Sequence, residues 1–177
     1  MELLSVFNDL VKDQFVYGGK KYASTVQTKE ATDCLFDAHS YTWLVGTIDK
    51  YTYRYTNVSR ERDLLKIATY MYILWLKRGY HISSNGTQEV INTTVDIKNA
   101  NFNKFFEIVG HHDLLNFQVP EPILHIHDIM ESWSKSNDFH SIKEDEIIYV
   151  YVCALQEWIF KWSDKAGQDK DTWNEEK

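Results

Sequence analysis

Residues that break regular structure are scarce in this chain. Only 7 glycines and 2 prolines occur in 177 residues, so few positions can supply left-handed backbone or a fixed φ. A β-sandwich needs turn signals every roughly 8–12 residues. That class is therefore excluded, and long uninterrupted helices are expected. The 11 Tyr, 9 Phe and 6 Trp supply the volume for packing such helices against one another. A domain of this length buries roughly 70% of its unfolded surface and needs no metal or disulfide staple. Cys34 and Cys153, the only two cysteines, stand among apolar neighbours and read as buried free thiols in a reducing compartment.

Periodicity predicts an all-α, bundle-like domain of about six helices. Leu3 to Phe15 forms the first, with Leu3, Val6, Phe7, Leu10 and Val11 on one face, ended by Gly18-Gly19. A long helix starts after Thr28 as N-cap and runs through Tyr55. Ser59 caps the next, Arg60 to Arg78, which Gly79 closes. The stretch 80–97 alternates, is rich in β-branched residues and contains Asn85-Gly86, so a small β-hairpin is expected between two helical halves, 1–79 and 101–162. Helices resume over Asn101 to Val109 and from Pro120 or Pro122 to Trp133. The last opens with a capping box at Ser141-Ile142-Lys143-Glu144 and ends near Trp162, ahead of a flexible tail over 163–177. Asp63-Leu64-Leu65, Ile67 and Trp75-Leu76 are echoed by Glu146-Ile147-Ile148, Val150 and Trp158-Ile159 at one constant offset, the mark of a possible duplication.

A net charge of −7 repels a long phosphate backbone, so extended nucleic acid is excluded as a partner. No apolar run reaches the ~18 residues of a membrane span. The start Met1-Glu2-Leu3-Leu4 has no signal-peptide design. The expected location is the cytoplasm, that of the host cell if the chain is phage-encoded.

Against this acidic background one cationic stripe stands out. Gly46, Lys50 and Arg54 recur every four residues and so share one helix face. The glycine leaves a gap beside two cations, which makes a seat for a phosphate or carboxylate. Asp63, Lys66 and Tyr70 share a face of the following helix, and an antiparallel hairpin would bring the two faces together. Tyr51, Tyr53 and Tyr55 add rings on which a base can stack. The plainer alternative pairs Lys50 and Arg54 with Asp49, Glu61 or Asp63 and leaves the tyrosines to packing.

The residues Gly46-x-x-x-Lys50-Tyr51-x-x-Arg54, followed by Asp63-Leu64-x-Lys66-x-x-x-Tyr70-Met71, resemble the core of a small helical phage family. Its members are identified as nucleotide kinases without a P-loop, after the T7-type phage enzyme. The resemblance implies a nucleotide site lined by Gly46, Lys50, Tyr51, Arg54, Lys66 and Tyr70, with Lys50, Arg54 and Asp63 as catalytic residues and Mg²⁺ as cofactor. Lys50 and Arg54 would hold and polarise phosphates, and Asp63 would orient the metal. Gly19-Lys20-Lys21-Tyr22-Ala23 is similar, more weakly, to an opening of phage dATP/dGTP diphosphohydrolase-like proteins. All-α pyrophosphohydrolases of nucleotides hold Mg²⁺ on paired helical carboxylates. That alternative places a metal on Glu30, Asp33 and Asp63, with Asp128 and Glu131 as a second pair and further acids from a partner subunit. A third alternative is a non-catalytic module that sequesters a signalling nucleotide or blocks a host protein. Exposed aromatic surface makes a homo-oligomer an expectation in any of these cases.

His111-His112-Asp113 and His125-Ile126-His127-Asp128 invite comparison with metal-binding His/Asp sites. On a helix His125 and His127 point about 200° apart and cannot share an ion. His127 and Glu131, one turn apart, can. No P-loop, nucleophile elbow or Cys-x-x-Cys occurs, so those chemistries are set aside.

Overall fold

The computed structural model describes residues 2–21, 31–78, 102–136 and 141–168, with side chains placed in all of these except 19–21 and 31–40. They form six α-helices: α1 (Glu2–Lys21), α2 (Ala31–Asn57), α3 (Glu61–Arg78), α4 (Phe102–Gly110), α5 (Pro122–Ser136) and α6 (Glu144–Lys161). Short 3₁₀ turns add Asp113–Asn116 and Ser163–Lys165. The fold is all-α, and no strand occurs among the described residues. The hairpin expected near 80–97 lies outside them. No described helix is long and apolar enough to cross a membrane.

Helices α2, α3, α6 and α5 form a closed ring in which each packs on the next and α5 returns to α2. The pairs that fix direction are Arg54–Asp63 and Tyr41–Lys77 for α2 and α3, and Trp133–Glu146 and His125–Tyr149 for α5 and α6. In each set the contacts step in opposite directions along the two helices, so both hairpins are antiparallel, as are α3 and α6. Helix α1 covers the outer side of α3, and α4 closes against α1. This leaves α3 surrounded: every one of its residues except Lys66 and Tyr70 is buried.

The aromatic excess is spent on the seams between these helices. Tyr72 of α3 stacks on Phe102 of α4 at 4.3 Å between centroids, and Phe15 of α1 meets Phe102 edge-on at 4.9 Å. Phe7 of α1 packs on Tyr151 and Trp158 of α6 at 5.5 and 5.4 Å. The Tyr151 hydroxyl, fully buried, donates to Asn8 Oδ1 at 2.6 Å. Satisfied in this way, a buried phenol is stabilising rather than a desolvation cost.

The α3–α6 seam repeats the echo in the sequence. Trp75 Nε1 donates to Glu144 Oε2 at 2.9 Å, and Trp158 Nε1 donates to Glu61 Oε2 at 2.9 Å. Glu61 and Glu144 open α3 and α6, and Trp75 and Trp158 stand at equivalent later positions. The two contacts therefore exchange roles about a local two-fold axis between the helices. A carboxylate in the first turn of a helix also sits favourably at the positive end of its dipole. Each such charge-assisted bond is worth about 1.5–3 kcal/mol when buried.

Several boundaries differ from the sequence expectation. Helix α1 runs through Gly18-Gly19 to Lys21. A glycine inside a helix costs about 1 kcal/mol but does not stop it, and among the described residues Gly167 is the glycine with left-handed backbone, at φ 73°. Val6, expected in the core, is 36% exposed, while Leu4 and Gln14 are buried. Ser59 does not cap α3, because its Oγ donates back to the Tyr55 carbonyl and closes α2 instead. The capping carboxylate of α6 is Glu146, which accepts from the Lys143 N–H at 3.1 Å. The chain expected to fray from Ser163 is held as far as 168. Gly167 N–H reaches both Glu61 carboxylate oxygens at 3.0 Å, and residues 169–177 lie outside the described set.

Candidate functional site

Only two positions of α3 reach solvent, and they are Lys66 and Tyr70, one turn apart. Helix α2 meets them through Tyr51, beside which Lys50 lies, and through Arg54 at Asp63, so parts of the two stripes chosen from the sequence come together. Tyr51 and Tyr70 stack at 5.8 Å with an interplanar angle of 20°, and the Trp43 edge closes on Tyr70 at 6.0 Å. The Lys50 and Lys66 ammoniums each lie 4.8 Å from the centre of the Tyr51 ring. A ring face draws in one cation, but two beside the same ring also repel each other by about half a kcal/mol in a high-dielectric setting. An anion lying against both relieves that repulsion.

Arg54 adds a third positive group one turn further on. Its Nε lies 3.8 Å from Asp63 Oδ2; Arg54 is 31% exposed and Asp63 fully buried. The plainer sequence alternative is thus realised in part, since Arg54 does sit against Asp63. Asp49 instead crosses to α5, where its Oδ1 lies 3.3 Å from His127 Nδ1. Gly46 faces open space: a Cβ there would meet nothing within 4 Å. Gly46 is exposed on this helix.

The other sequence candidates are placed differently. Tyr53 is 65% exposed on another face of α2. Tyr55 is buried, donating to Glu157 Oε2 at 2.8 Å and accepting from Trp162 Nε1 at 3.2 Å. Neither joins Tyr51 as a ring for a base. Burial and the neighbouring Glu157 push the Tyr55 hydroxyl well above the usual phenol range.

Of Glu30, Asp33 and Asp63, the residues expected to hold Mg²⁺, Asp63 is the one with a described side chain. Asp63 is enclosed and committed to the side of Arg54, Glu30 and the Asp33 side chain lie outside the described residues, and no group of three His, Cys, Asp or Glu able to hold a metal occurs among those described. Glu131 is bound to Lys135 at 2.7 Å, which holds its carboxyl below the usual range, and lies 3.8 Å from His127 Nε2. The two nitrogens of His127 thus face carboxylates on opposite sides, Asp49 and Glu131, and tie α2 to α5. Cys153 is a buried free thiol, pushed up to about 12 by burial.

A feature that sequence reading missed is a cavity of about 530 Å³ on the opposite hairpin, between α5, α6 and the turn Asp113–Asn116. Its polar residues come from two separate segments, 111–113 and 145–149, and Ile129 of α5 adds an apolar side, so no single motif announced it; the paired histidines at 111 and 112 were the one local sign. Comparison with protein-family models, with curated proteins and with solved structures finds no match to this chain.

Proposed function

We propose that the α2–α3 cluster binds a nucleotide or a comparably small phosphorylated ligand. The observation that carries this reading is the convergence of Lys50 and Lys66 on the Tyr51 ring at the only solvent-facing stretch of α3. Lys50, Lys66 and Arg54 contact the phosphates as charge-assisted donors. The open space at Gly46 admits the ligand. The Tyr51–Tyr70 stack, backed by Trp43, offers the wall against which a base lies. Asp63 acts from beneath as a positioning residue that holds Arg54.

Phosphoryl transfer between nucleotides is the activity implied by the phage-kinase resemblance, and it needs little from the protein beyond placement and positive charge. In such a transfer Mg²⁺ would enter with the nucleotide and neutralise charge on its phosphates. The test is to incubate the protein with a dNMP and NTP panel plus Mg²⁺ and follow ³¹P resonances together with thermal stability. New phosphate species establish an enzyme, and their identity separates a kinase from a pyrophosphohydrolase. Stabilisation without turnover leaves a binding module, and no stabilisation by any nucleotide contradicts the site.

A further inference from the structure

The cavity on the α5–α6 hairpin is opposite in character to the α2–α3 cluster. Asp113, Asp145 and Glu146 stand on its rim, and no lysine or arginine is among the described residues that line it. Leu114, Ile129 and the Tyr149 ring supply its apolar wall. The remaining polar groups are held in place. His112 Nδ1 accepts from the Leu114 N–H at 3.3 Å, which leaves the ring proton on Nε2, 3.4 Å from Asp145 Oδ1. Glu146 Oε2 accepts from Trp133 Nε1 at 3.1 Å. The Tyr149 hydroxyl lies 3.0 Å from His125 Nδ1. The turn forming the far wall is pinned to α6 by Gln156, whose amide donates to the Phe117 carbonyl at 2.6 Å and accepts from the Val119 N–H at 2.7 Å.

This open groove is large enough for a small organic molecule to lie in, and its lining selects the kind. An anion would meet three carboxylates and no lysine or arginine. A bare hydrated ion would leave the Leu114, Ile129 and Tyr149 wall unused. We infer that this cavity is a second ligand site, independent of the α2–α3 cluster, and that it takes a compact organic cation whose apolar body lies on Ile129 and Leu114 while its ammonium meets Asp145 and Asp113.

Tyramine serves as the probe, with 4-ethylphenol as its uncharged counterpart, in calorimetric titrations of the full chain. The Trp133 indole N–H resonance, which reports on Glu146, is followed in parallel. Saturable binding of tyramine with a shift of that resonance is expected, with 4-ethylphenol at least about tenfold weaker, the scale of one charge-assisted contact. Asp145 is 76% exposed, so Asp113→Asn/Asp145→Asn should fold normally and lose about tenfold in affinity. Ile129→Trp, which fills the cavity, should abolish binding. The inference is overturned by absence of saturable binding, by equal affinity in the charge-neutral variant, or by displacement of tyramine by Mg²⁺ alone at equal or lower concentration.

Discussion

Trp158 donates its indole N–H to Glu61 at 2.9 Å across 97 residues of sequence. Glu61 is 1% exposed, and its carboxylate also receives the Gly167 N–H. The related pair, Trp75 and Glu144, has the same length but a partly exposed acceptor that receives no second donor in the described contacts. Glu61→Ala leaves two donors without their carboxylate and should cost about 3 kcal/mol, whereas Glu144→Ala should cost about 1 kcal/mol. Denaturant midpoints of the two variants read this directly, and equal losses would show that burial of the acceptor is not what sets the energy.

Gly46 lies inside α2 with open space above it. Gly46→Ala should therefore raise stability by about 0.5–1 kcal/mol, since alanine loses less chain entropy and meets no neighbour. If the gap admits a phosphate, a larger side chain in the same place should lower ligand affinity while the thermal midpoint holds or rises. A fall in stability for Gly46→Ala would mean that the space is already filled.

Lys50 and Arg54 share a stripe but should behave differently. Lys50 is exposed, so Lys50→Ala should change stability by no more than about 0.5 kcal/mol. Arg54 stands over the fully buried Asp63, and Arg54→Ala should cost about 1–2 kcal/mol by weakening the compensation of that charge. Asp63→Asn in the same chain should recover part of the loss. A double-mutant cycle on Arg54 and Asp63 measures the coupling, and additivity would show that the two do not interact.

Alkaline pH should destabilise the protein through its buried phenols and thiol. Tyr41, Tyr55, Tyr149 and Tyr151 are all raised above the ordinary phenol value, chiefly by burial, and Cys153 is pushed up to about 12. A raised acid group favours the folded state below its unfolded value. That contribution is then lost as pH climbs from the unfolded value toward the folded one. The thermal midpoint should thus fall progressively between about pH 9 and 12, together with delayed phenolate absorbance. At pH 8 a Cys34→Ser variant should show no reactive thiol until it is unfolded. A midpoint that stays level over the same range would contradict the burial of these groups.

Much of this architecture is written in local periodicity. The α3 span, the four-residue stripe Gly46, Lys50, Arg54 and the face Asp63, Lys66, Tyr70 follow from 3.6 residues per turn, a property of each helix alone. What could not be read locally depends on which helix meets which. Glu61 and Glu144 look like ordinary first-turn acids in the sequence, and their role appears only when α3 and α6 lie antiparallel. The echo that begins at Asp63 and Glu146 held the signal: carried two residues upstream, it pairs Glu61 with Glu144 as it pairs Trp75 with Trp158. Tyr55 was misjudged because alternate tyrosines on a helix point in different directions, and its direction was toward Glu157 and Trp162.

The cationic cluster is tested most directly by titrating nucleotides into the wild type and into Lys50→Ala/Lys66→Ala, with thermal midpoints recorded alongside. Lys66→Ala removes a partly exposed side chain, so the double variant should remain folded. Saturable binding to the wild type is expected, weakening with added salt, and the double variant should bind at least about a hundredfold more weakly, about tenfold for each charge-assisted contact removed. Equal affinity in the two proteins, or no nucleotide binding by the wild type, would contradict a phosphate site between α2 and α3.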